Sequence, residues 1–459
     1  MTTGSFEETA RPADGPPAAA AAPAVPAAPA DGPPAAPGPA GPGAVDPARW
    51  PDAARVPRAV LRGRAARLLV ERALARLPLR AVLPDGTVLG AGDPGSPALE
   101  VLRPEAFFRR LGADGLIGFG ESWMAREWDA QDPVGVLTVL ASGAAELVPA
   151  PLQRLRGAWA RRQPAGQRNT VANTRGNIHR HYDLSNDLFA LFLDETMTYS
   201  SAVFPEGPDG RPDASWDGLA AAQRAKVDRL LDAAGVGAGT RLLEIGTGWG
   251  ELALRAAARG ARVTTVTLSQ EQLRLASRRV AEAGYEDRVT LLLRDYRQVG
   301  GVYDAVVSVE MIEAVGAEFW PVYFGVLERV LAPGGRIALQ AITMPHDRME
   351  ASRSTWTWIQ KYVFPGGLIP SVEALESATR RHTGLRVVRR EAFGPHYAET
   401  LRLWRERFAG RAEEVGALGL DAVFRRMWGF YLAYSEAGFR SGYLDVQQLL
   451  LTRNGGGAR

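Results

Sequence analysis

The chain has 459 residues, with 54 Lys+Arg against 51 Asp+Glu for a formal charge of +3, and no cysteine. Without Cys, disulfide-stapled scaffolds, Cys-ligated zinc, iron–sulfur clusters and thiol nucleophiles are excluded. An apolar fraction of 46% can build a core, and the length suits about two or three domains.

No run of roughly 18 apolar residues marks a membrane span, and no basic start with an apolar run marks a secretory signal. The expected compartment is the cytoplasm. Only Lys226 and Lys361 are lysine; every other basic residue is arginine. With the excess of Ala, Gly and Pro, this reads as the drift of a GC-rich genome. The basic balance is therefore poor evidence for nucleic acid.

Residues 1–50 are expected to be a disordered tail. Between Ala10 and Val45 all but five residues are Ala, Pro or Gly, which cannot bury apolar surface or run on as a helix. A first folded, α+β unit is expected over 55–160. Arg67–Leu77 reads as an amphipathic helix, and Leu79–Val82 with Val88–Leu89 as a hairpin around Pro84-Asp85-Gly86. Glu105–Leu111 reads as a short helix. A Gly-rich apolar turn at 115–123 leads into another helix, and Pro133–Glu146 is a further one. Gly166–Gly176 reads as a polar linker.

A second unit is expected over 166–453. From Ala222 strands and helices alternate: strands at 241–245, 263–267, 289–293, 305–309 and 336–342, with helices at 252–259, 270–283 and 320–331 between them. Strand 385–391, helices 396–408 and 422–434, and strand 446–451 close the chain. Such alternation implies an α/β fold, a mostly parallel sheet with helices on both faces. Ligands bind such sheets beyond the carboxyl ends of the strands.

Leu243-Glu-Ile-Gly-Thr-Gly-Trp-Gly250 joins the first of these strands to its helix. Its glycines allow a tight turn and let a ligand lie against backbone. A dinucleotide loop needs G-x-G-x-x-G. Here the spacing is G-x-G-x-G after an acid, which suits a ligand with an amino-acid end. The second strand ends in Thr267-Leu-Ser-Gln-Glu-Gln272, hydroxyls and amides in place of the usual acid. Asp295-Tyr296 follows the third. This pattern resembles the S-adenosylmethionine-dependent methyltransferases, and implies a Rossmann-like class I methyltransferase fold with a seven-stranded sheet.

Asn173-Thr-Arg-Gly-Asn-Ile-His-Arg-His-Tyr-Asp-Leu-Ser-Asn-Asp-Leu-Phe189 precedes Met197-Thr-Tyr-Ser-Ser201. By residue type, His179 and His181 near Asp183 are a metal pair or an acid/base pair; no third His is nearby, and no metal is expected. The whole string resembles the cyclopropane-fatty-acyl-phospholipid synthase family, which includes the mycolic acid cyclopropane synthases. Glu310-Met-Ile-Glu-Ala-Val-Gly316, Phe393–Trp404, Gly438-Phe-Arg440 and Gln447-Gln-Leu-Leu450 extend the match, which runs from about Leu61 to Arg453. The variant residues resemble an actinobacterial branch.

The resemblance implies transfer of a methyl group from S-adenosylmethionine to a cis double bond in an acyl chain of a membrane phospholipid, through a carbocation. The product is a cyclopropane or a methylene branch, and a downstream reductase could turn the latter into a methyl branch. By resemblance the cofactor site is lined by Tyr182, Tyr199, Ser200, Glu244, Gly246, Gly248, Gly250, Thr267, Leu268, Ser269, Gln272, Asp295 and Tyr296. Family members hold a bicarbonate base with Cys, Glu, His, an Ile backbone and Tyr. The matching positions are Ser201, Glu313, Gln340, Ile342 and Tyr397, so two ligands differ while both can still hydrogen-bond an anion. Glu310 is an extra carboxylate, either a base or a helix cap.

Aromatic faces can stabilise a cation. Tyr199, Trp356, Trp358, Tyr362, Phe364, Tyr397 and Trp404 are candidates, each of which could equally be core. The N-terminal unit is expected to act as a lipid or lid domain, peripheral at the inner face of the membrane. Its Arg-rich segment 62–76 would meet an anionic surface. A homodimer is left open. A methyltransferase of soluble small molecules and a non-enzymatic lipid-binding protein are the alternatives. A nucleic-acid base methyltransferase is disfavoured, because Ser308-Val-Glu-Met stands where a D/N-P-P-Y/F segment belongs.

Overall fold

The computed structural model describes residues 45–143, 164, 185–353 and 355–454, all within one compact unit, Pro42–Arg459. The expectations for the tail, the 166–176 linker, His179, His181, Tyr182, Asp183 and the boundary near 160 fall outside the described residues.

The N-terminal elements are α1 (Pro51–Ala54), α2 (Val60–Leu74), β1 (Arg80–Val82), β2 (Val88–Leu89), β3 (Ala98–Val101), α3 (Pro104–Asp114), α4 (Leu116–Met124), β4 (Trp128–Asp129) and α5 (Pro133–Ser142). The strands form a small sheet ordered β2-β1-β3-β4. The expected hairpin is present, with Ala81 opposite Leu89 and Val82 opposite Val88. The Asp85 carboxylate closes its turn by accepting from Thr87 N at 2.9 Å. Helices α2 and α3 touch at Gly63 and Gly112. A Cβ on Gly112 would lie 2.4 Å from the Arg62 carbonyl, so this close crossing requires glycine.

The larger layer comprises α6 (Asn186–Phe192), α7 (Trp216–Ala234), β5 (Arg241–Ile245), α8 (Glu251–Ala258), β6 (Arg262–Thr267), α9 (Gln270–Glu282), β7 (Val289–Leu293), β8 (Tyr303–Val309), α10 (Trp320–Val330) and β9 (Leu331–Thr343). It continues with α11 (His346–Ser352), α12 (Trp358–Tyr362), α13 (Val372–His382), β10 (Leu385–Ala392), α14 (Gly394–Gly410), α15 (Ala412–Ala417), α16 (Ala422–Arg440) and β11 (Asp445–Arg453). The seven strands run β10-β11-β9-β8-β5-β6-β7. Only β11 is antiparallel to its neighbours. β5 has β6 on one side and β8 on the other; at such a switch point the loop after the strand faces a crevice.

Side-chain alternation explains the layering. Leu242, Val307 and Ala338 pack on one face, and Leu243, Val306 and Leu339 on the other, as a period of two requires when both faces are covered. Ser215, Ser269, Ser371 and Asp421 cap α7, α9, α13 and α16 by accepting a backbone N–H.

Three differences from the sequence reading stand out. Strand β9 starts before the expected residue 336 and takes in Pro333-Gly334-Gly335, where the register jumps from Tyr303↔Leu331 to Ala305↔Arg336. Helix α13 is an additional element; its buried Val372, Leu375, Ala378 and Thr379 are the helical stripe. The N-terminal elements also share a core with the chain's end, since Leu79, Phe107, Trp123 and Trp128 belong to one cluster with Trp404, Trp428 and Phe430. A buried polar knot adds to that union. Arg110 donates to Glu127 at 2.9 Å and to the carbonyls of Asp52 and Ala53. Lys361, beside the knot, pairs with Glu121 and Asp52.

Candidate active site

The glycine loop leaves β5 with Gly246 at φ +98°, Gly248 at +51° and Gly250 at +93°, a region that disfavours any Cβ. It borders a cleft of about 180 Å³, lined by Ser200, Tyr199, Glu244, Gly246, Gly248, Thr267, Leu268, Gln272 and Tyr296 among others. Gly250 packs against α9 instead, where a Cβ would meet Ala276 at 3.2 Å. At the end of β6 the side chains hold one another. Thr267 donates to Gln272 Oε1 at 2.8 Å, Ser269 N to Thr267 Oγ1, and Gln272 N to Ser269 Oγ.

Glu244 is the polar group that remains unsatisfied there. It is buried, its Oε2 has no hydrogen-bond partner among the described residues, and burial pushes its pKa up to about 8 against a hydrogen bond from Thr265. A carboxyl so placed fits a ligand with an ammonium end, as the amino-acid end of S-adenosylmethionine provides. Asp295 is differently employed. Its oxygens accept from Arg297 N and Nε, both at 2.9 Å, and from Arg297's terminal nitrogen at 2.6 Å. Of the pair after β7, Tyr296 borders the cleft.

A second, larger cavity of about 1310 Å³ extends from the N-terminal elements to the sheet. Its walls are mainly aliphatic and aromatic, with contributions from Leu79, Phe107 and Leu137 as well as Ile342, Leu401 and Phe430. Of the aromatic candidates, Tyr199, Trp356, Trp358, Phe364 and Tyr397 line it, whereas Tyr362 and Trp404 do not. Trp404 is wholly buried, so for it the core role holds. Gly120 makes room for Trp358: a Cβ there would stand 2.4 Å from the indole.

Cleft and cavity share Tyr199, Glu310 and Ala314. Glu310, just past β8, takes a left-handed backbone at φ +49°. Its Oε1 accepts from Ser201 N at 3.0 Å and from Gln340 Nε2 at 2.8 Å, and its Oε2 from the Tyr397 hydroxyl at 2.7 Å. Gln340 is in turn oriented by Gln448, which donates to its Oε1 at 3.1 Å. Burial raises the Glu310 pKa, opposed by the Lys226 ammonium and by those three donors.

Glu313 accepts from Ile342 N at 2.5 Å. Its other oxygen has no partner among the described residues, and burial together with the Glu310 charge pushes its pKa up to about 8. Ser201 Oγ donates to the Ala202 carbonyl. Thus Ser201, Gln340, Ile342, Tyr397 and the two acids do come together. The donors expected to hold bicarbonate are engaged by the protein's own carboxylates.

Lys226 was missing from the sequence reading. It is fully buried on α7, donates to Ser200 Oγ at 2.5 Å and borders the cofactor cleft. Burial lowers its pKa to about 8, against the charges of Glu310, Asp194 and Glu251. Its rarity was the available signal, since arginine does the basic work almost everywhere else in this chain.

The family model for mycolic acid cyclopropane synthetase matches residues 169–449. The chain belongs to that family. Tuberculostearic acid methyltransferase UfaA1 of Mycobacterium tuberculosis is 58% identical over 415 residues, 90% of this chain and 97% of that one. The cyclopropane-fatty-acyl-phospholipid synthase of Escherichia coli is 32% identical over 77% of this chain and 87% of its own. Among solved structures, cyclopropane synthase MmaA2 from Mycobacterium tuberculosis aligns with a TM-score of 0.54 at 32% identity, covering 60% of this chain and 97% of that one. Mycolic acid cyclopropane synthase CmaA1, complexed with SAH and CTAB, aligns with a TM-score of 0.54 at 31% identity, covering 63% and 98%. The fold is that of the class I methyltransferases, and the chain is an S-adenosylmethionine-dependent methyltransferase of the cyclopropane synthase type. The N-terminal elements precede the matched family region.

Proposed function

We propose that this enzyme methylates a cis double bond in an acyl chain of a membrane phospholipid and makes a methylene branch. The observation that carries this reading is the junction: a polar cleft that fits an amino-acid ligand meets a long apolar cavity at Tyr199, Glu310 and Ala314. S-adenosylmethionine would supply an electrophilic methyl group at that junction. Glu244, the glycine loop and the Thr267–Gln272 turn would hold it, and the apolar walls would align the double bond and keep water from the cation. Tyr199 and Tyr397 offer aromatic faces beside the reacting carbons.

The cavity, at about 1310 Å³, exceeds the roughly 300–1,000 Å³ of small-molecule pockets. That favours a lipid chain over a soluble acceptor. The methylene product is preferred over the cyclopropane because a relative at 58% identity is named for tuberculostearic acid, a methyl-branched acid. A methyl branch would then require a separate reduction of the new double bond.

Contact with an anionic membrane belongs to the same reading. Leu61, Leu68 and Leu116 are 78%, 68% and 62% exposed, and Arg62, Arg64, Arg67 and Arg72 share α2 with the first two. Leu116 and Arg62 also line the cavity, so a chain could pass from bilayer to junction there. Each arginine near an anionic surface would contribute roughly 1 kcal/mol. No helix among the described residues is long and apolar enough to cross a membrane.

The deciding experiment is expression in a host without its own synthase, followed by mass spectrometry and proton NMR of the phospholipids. Vinylidene protons are expected. Upfield ring protons would make the product a cyclopropane, and unchanged lipids would overturn the function.

A further inference from the structure

We propose that Glu310 is the enzyme's built-in proton acceptor, so that the reaction needs no bicarbonate or other free anion. This rests on the methyl transfer proposed above. Once the double bond has bonded to the new methyl carbon, the acyl chain carries one positive charge and must lose one proton. A C–H bond of the new methyl group breaks. If hydride has first moved from the methylated carbon to its cationic neighbour, the released pair becomes the methylene double bond. Otherwise it closes a three-membered ring. In both cases the proton forms an O–H bond on Glu310.

Position selects Glu310 over Glu313. Both line the acyl cavity, but only Glu310 also borders the cofactor cleft, where the methyl group arrives. Lone-pair capacity then selects the oxygen. Oε1 already accepts two hydrogen bonds, from Ser201 N and Gln340 Nε2, whereas Oε2 accepts one, from Tyr397. A carboxylate offers about four acceptor sites, so Oε2 keeps room for the proton.

Burial raises the Glu310 pKa, and the groups around it work against that rise. Three donors converge on this carboxylate from separate parts of the chain, and the buried Lys226 ammonium lies close enough to favour its charge. Lys226 acts as a positioning residue, holding Ser200 and supplying the countercharge. The other charged or titratable groups about this cluster are Glu313, Tyr397, Tyr199 and Tyr431, with Asp194 and Glu251 acting on Lys226. Glu313, with its pKa at about 8, stays largely protonated at neutral pH and is the weaker candidate.

The backbone carries the same message. Glu310 is one of three non-glycine residues at positive φ among those described, a conformation strained for a residue with a Cβ. A helix-capping role would not require it, since the Glu310 side chain caps no helix and its N–H donates to the Gln340 carbonyl within the sheet.

The test uses the full chain with S-adenosylmethionine and vesicles of dioleoyl phosphatidylglycerol, in buffer purged of carbon dioxide. Wild-type turnover should be unchanged by purging. Glu310→Gln should lose about 10²–10⁴-fold in kcat, the range for a general base, while calorimetry finds its affinity for S-adenosylhomocysteine kept within about threefold. Glu310→Gly relaxes the backbone and empties the donors. It should bind ¹³C-bicarbonate by NMR, which the wild type should not, and added bicarbonate or formate should restore part of its turnover. Lys226→Met should move the acid limb of the kcat/KM profile to higher pH.

Wild-type activity that disappears on purging and returns with bicarbonate would overturn the proposal, as would Glu310→Gln within tenfold of wild type. An unmoved acid limb would remove Lys226 from it. If the wild type makes no product at all from these vesicles, the methyl-transfer reading fails first, and the two failures are thereby distinguished.

Discussion

The polar cleft and the apolar cavity, proposed for cofactor and acyl chain, meet at one carboxylate, yet they are built in opposite ways. The cleft takes much of its lining from short stretches that follow successive strands, at 244–249, 267–272, 294–296 and 309–314, with 196–200 beside them, and much of its shape is backbone. The cavity takes its walls from Arg62 to Leu444, and its shape is side chain. A backbone site depends on a few glycines that nothing else can replace. A side-chain site spreads its cost over many apolar residues, each individually replaceable. Mutations should therefore act sharply on one and gradually on the other.

The largest expected effect on cofactor binding is that of Gly246→Val. At φ +98° a β-branched residue is strained, by about 1–3 kcal/mol. That corresponds to a roughly 5- to 150-fold loss of S-adenosylhomocysteine affinity by calorimetry. Binding of a fluorescent fatty acid in the cavity should not change. Loss of both would mean that the two sites are not separable.

Next is Ala141→Phe, which fills the N-terminal end of the cavity where Ala141 contributes to the wall. Turnover of 18-carbon chains should fall about tenfold relative to 14-carbon chains, since overpacking costs roughly 1–3 kcal/mol. Cofactor affinity should stay as it was. An unchanged chain preference would show that the acyl chain does not reach so far.

The most gradual effect concerns pH. Glu244 has its pKa raised from 4.5 to about 8 in the folded protein. Below about pH 4.5 it is protonated whether the chain is folded or not. Between 4.5 and about 8 only the unfolded chain releases the proton, so the stability of the ligand-free protein should fall across that window. An ammonium ligand reverses the preference and expels the proton. Affinity for S-adenosylhomocysteine should then rise with pH up to about 8, by at most about tenfold per unit for one proton. Glu244→Gln should flatten both trends, and a retained slope would assign them to another group, Glu313 being the first candidate.

The same contrast decides what could be read in advance. The βα alternation, the glycine loop and the Thr267–Gln272 turn are contiguous, and each carries its own local geometry. The bounds expected for the strands at 241–245 and 289–293 match the fold. The cavity had no contiguous signature. Leucine and phenylalanine in the N-terminal elements have the composition of any core, and only packing against α14 and α16 shows which of them leave space. Asp295 is a case where position was legible and occupation was not, because Arg297, two residues on, engages its carboxylate. Lys226 could be singled out by rarity alone, but its burial beside Ser200 depends on the fold.

What the sequence by itself determined is the kind of chemistry. A G-x-G-x-G loop after an acid, with the 173–201 string and Glu310–Gly316, specifies methyl transfer within one lipid-modifying family, because backbone recognition of a cofactor is written in neighbouring residues. The tertiary structure alone decided how the charge at the reacting centre is held. Ser201, Gln340 and Tyr397 come from three separate parts of the chain. Only the switch point between β5 and β8, closed over by α7 and α14, brings their donors to one glutamate. Hydrogen bonds act over about 3 Å, so a group of donors so far apart in sequence has no meaning until the sheet has formed.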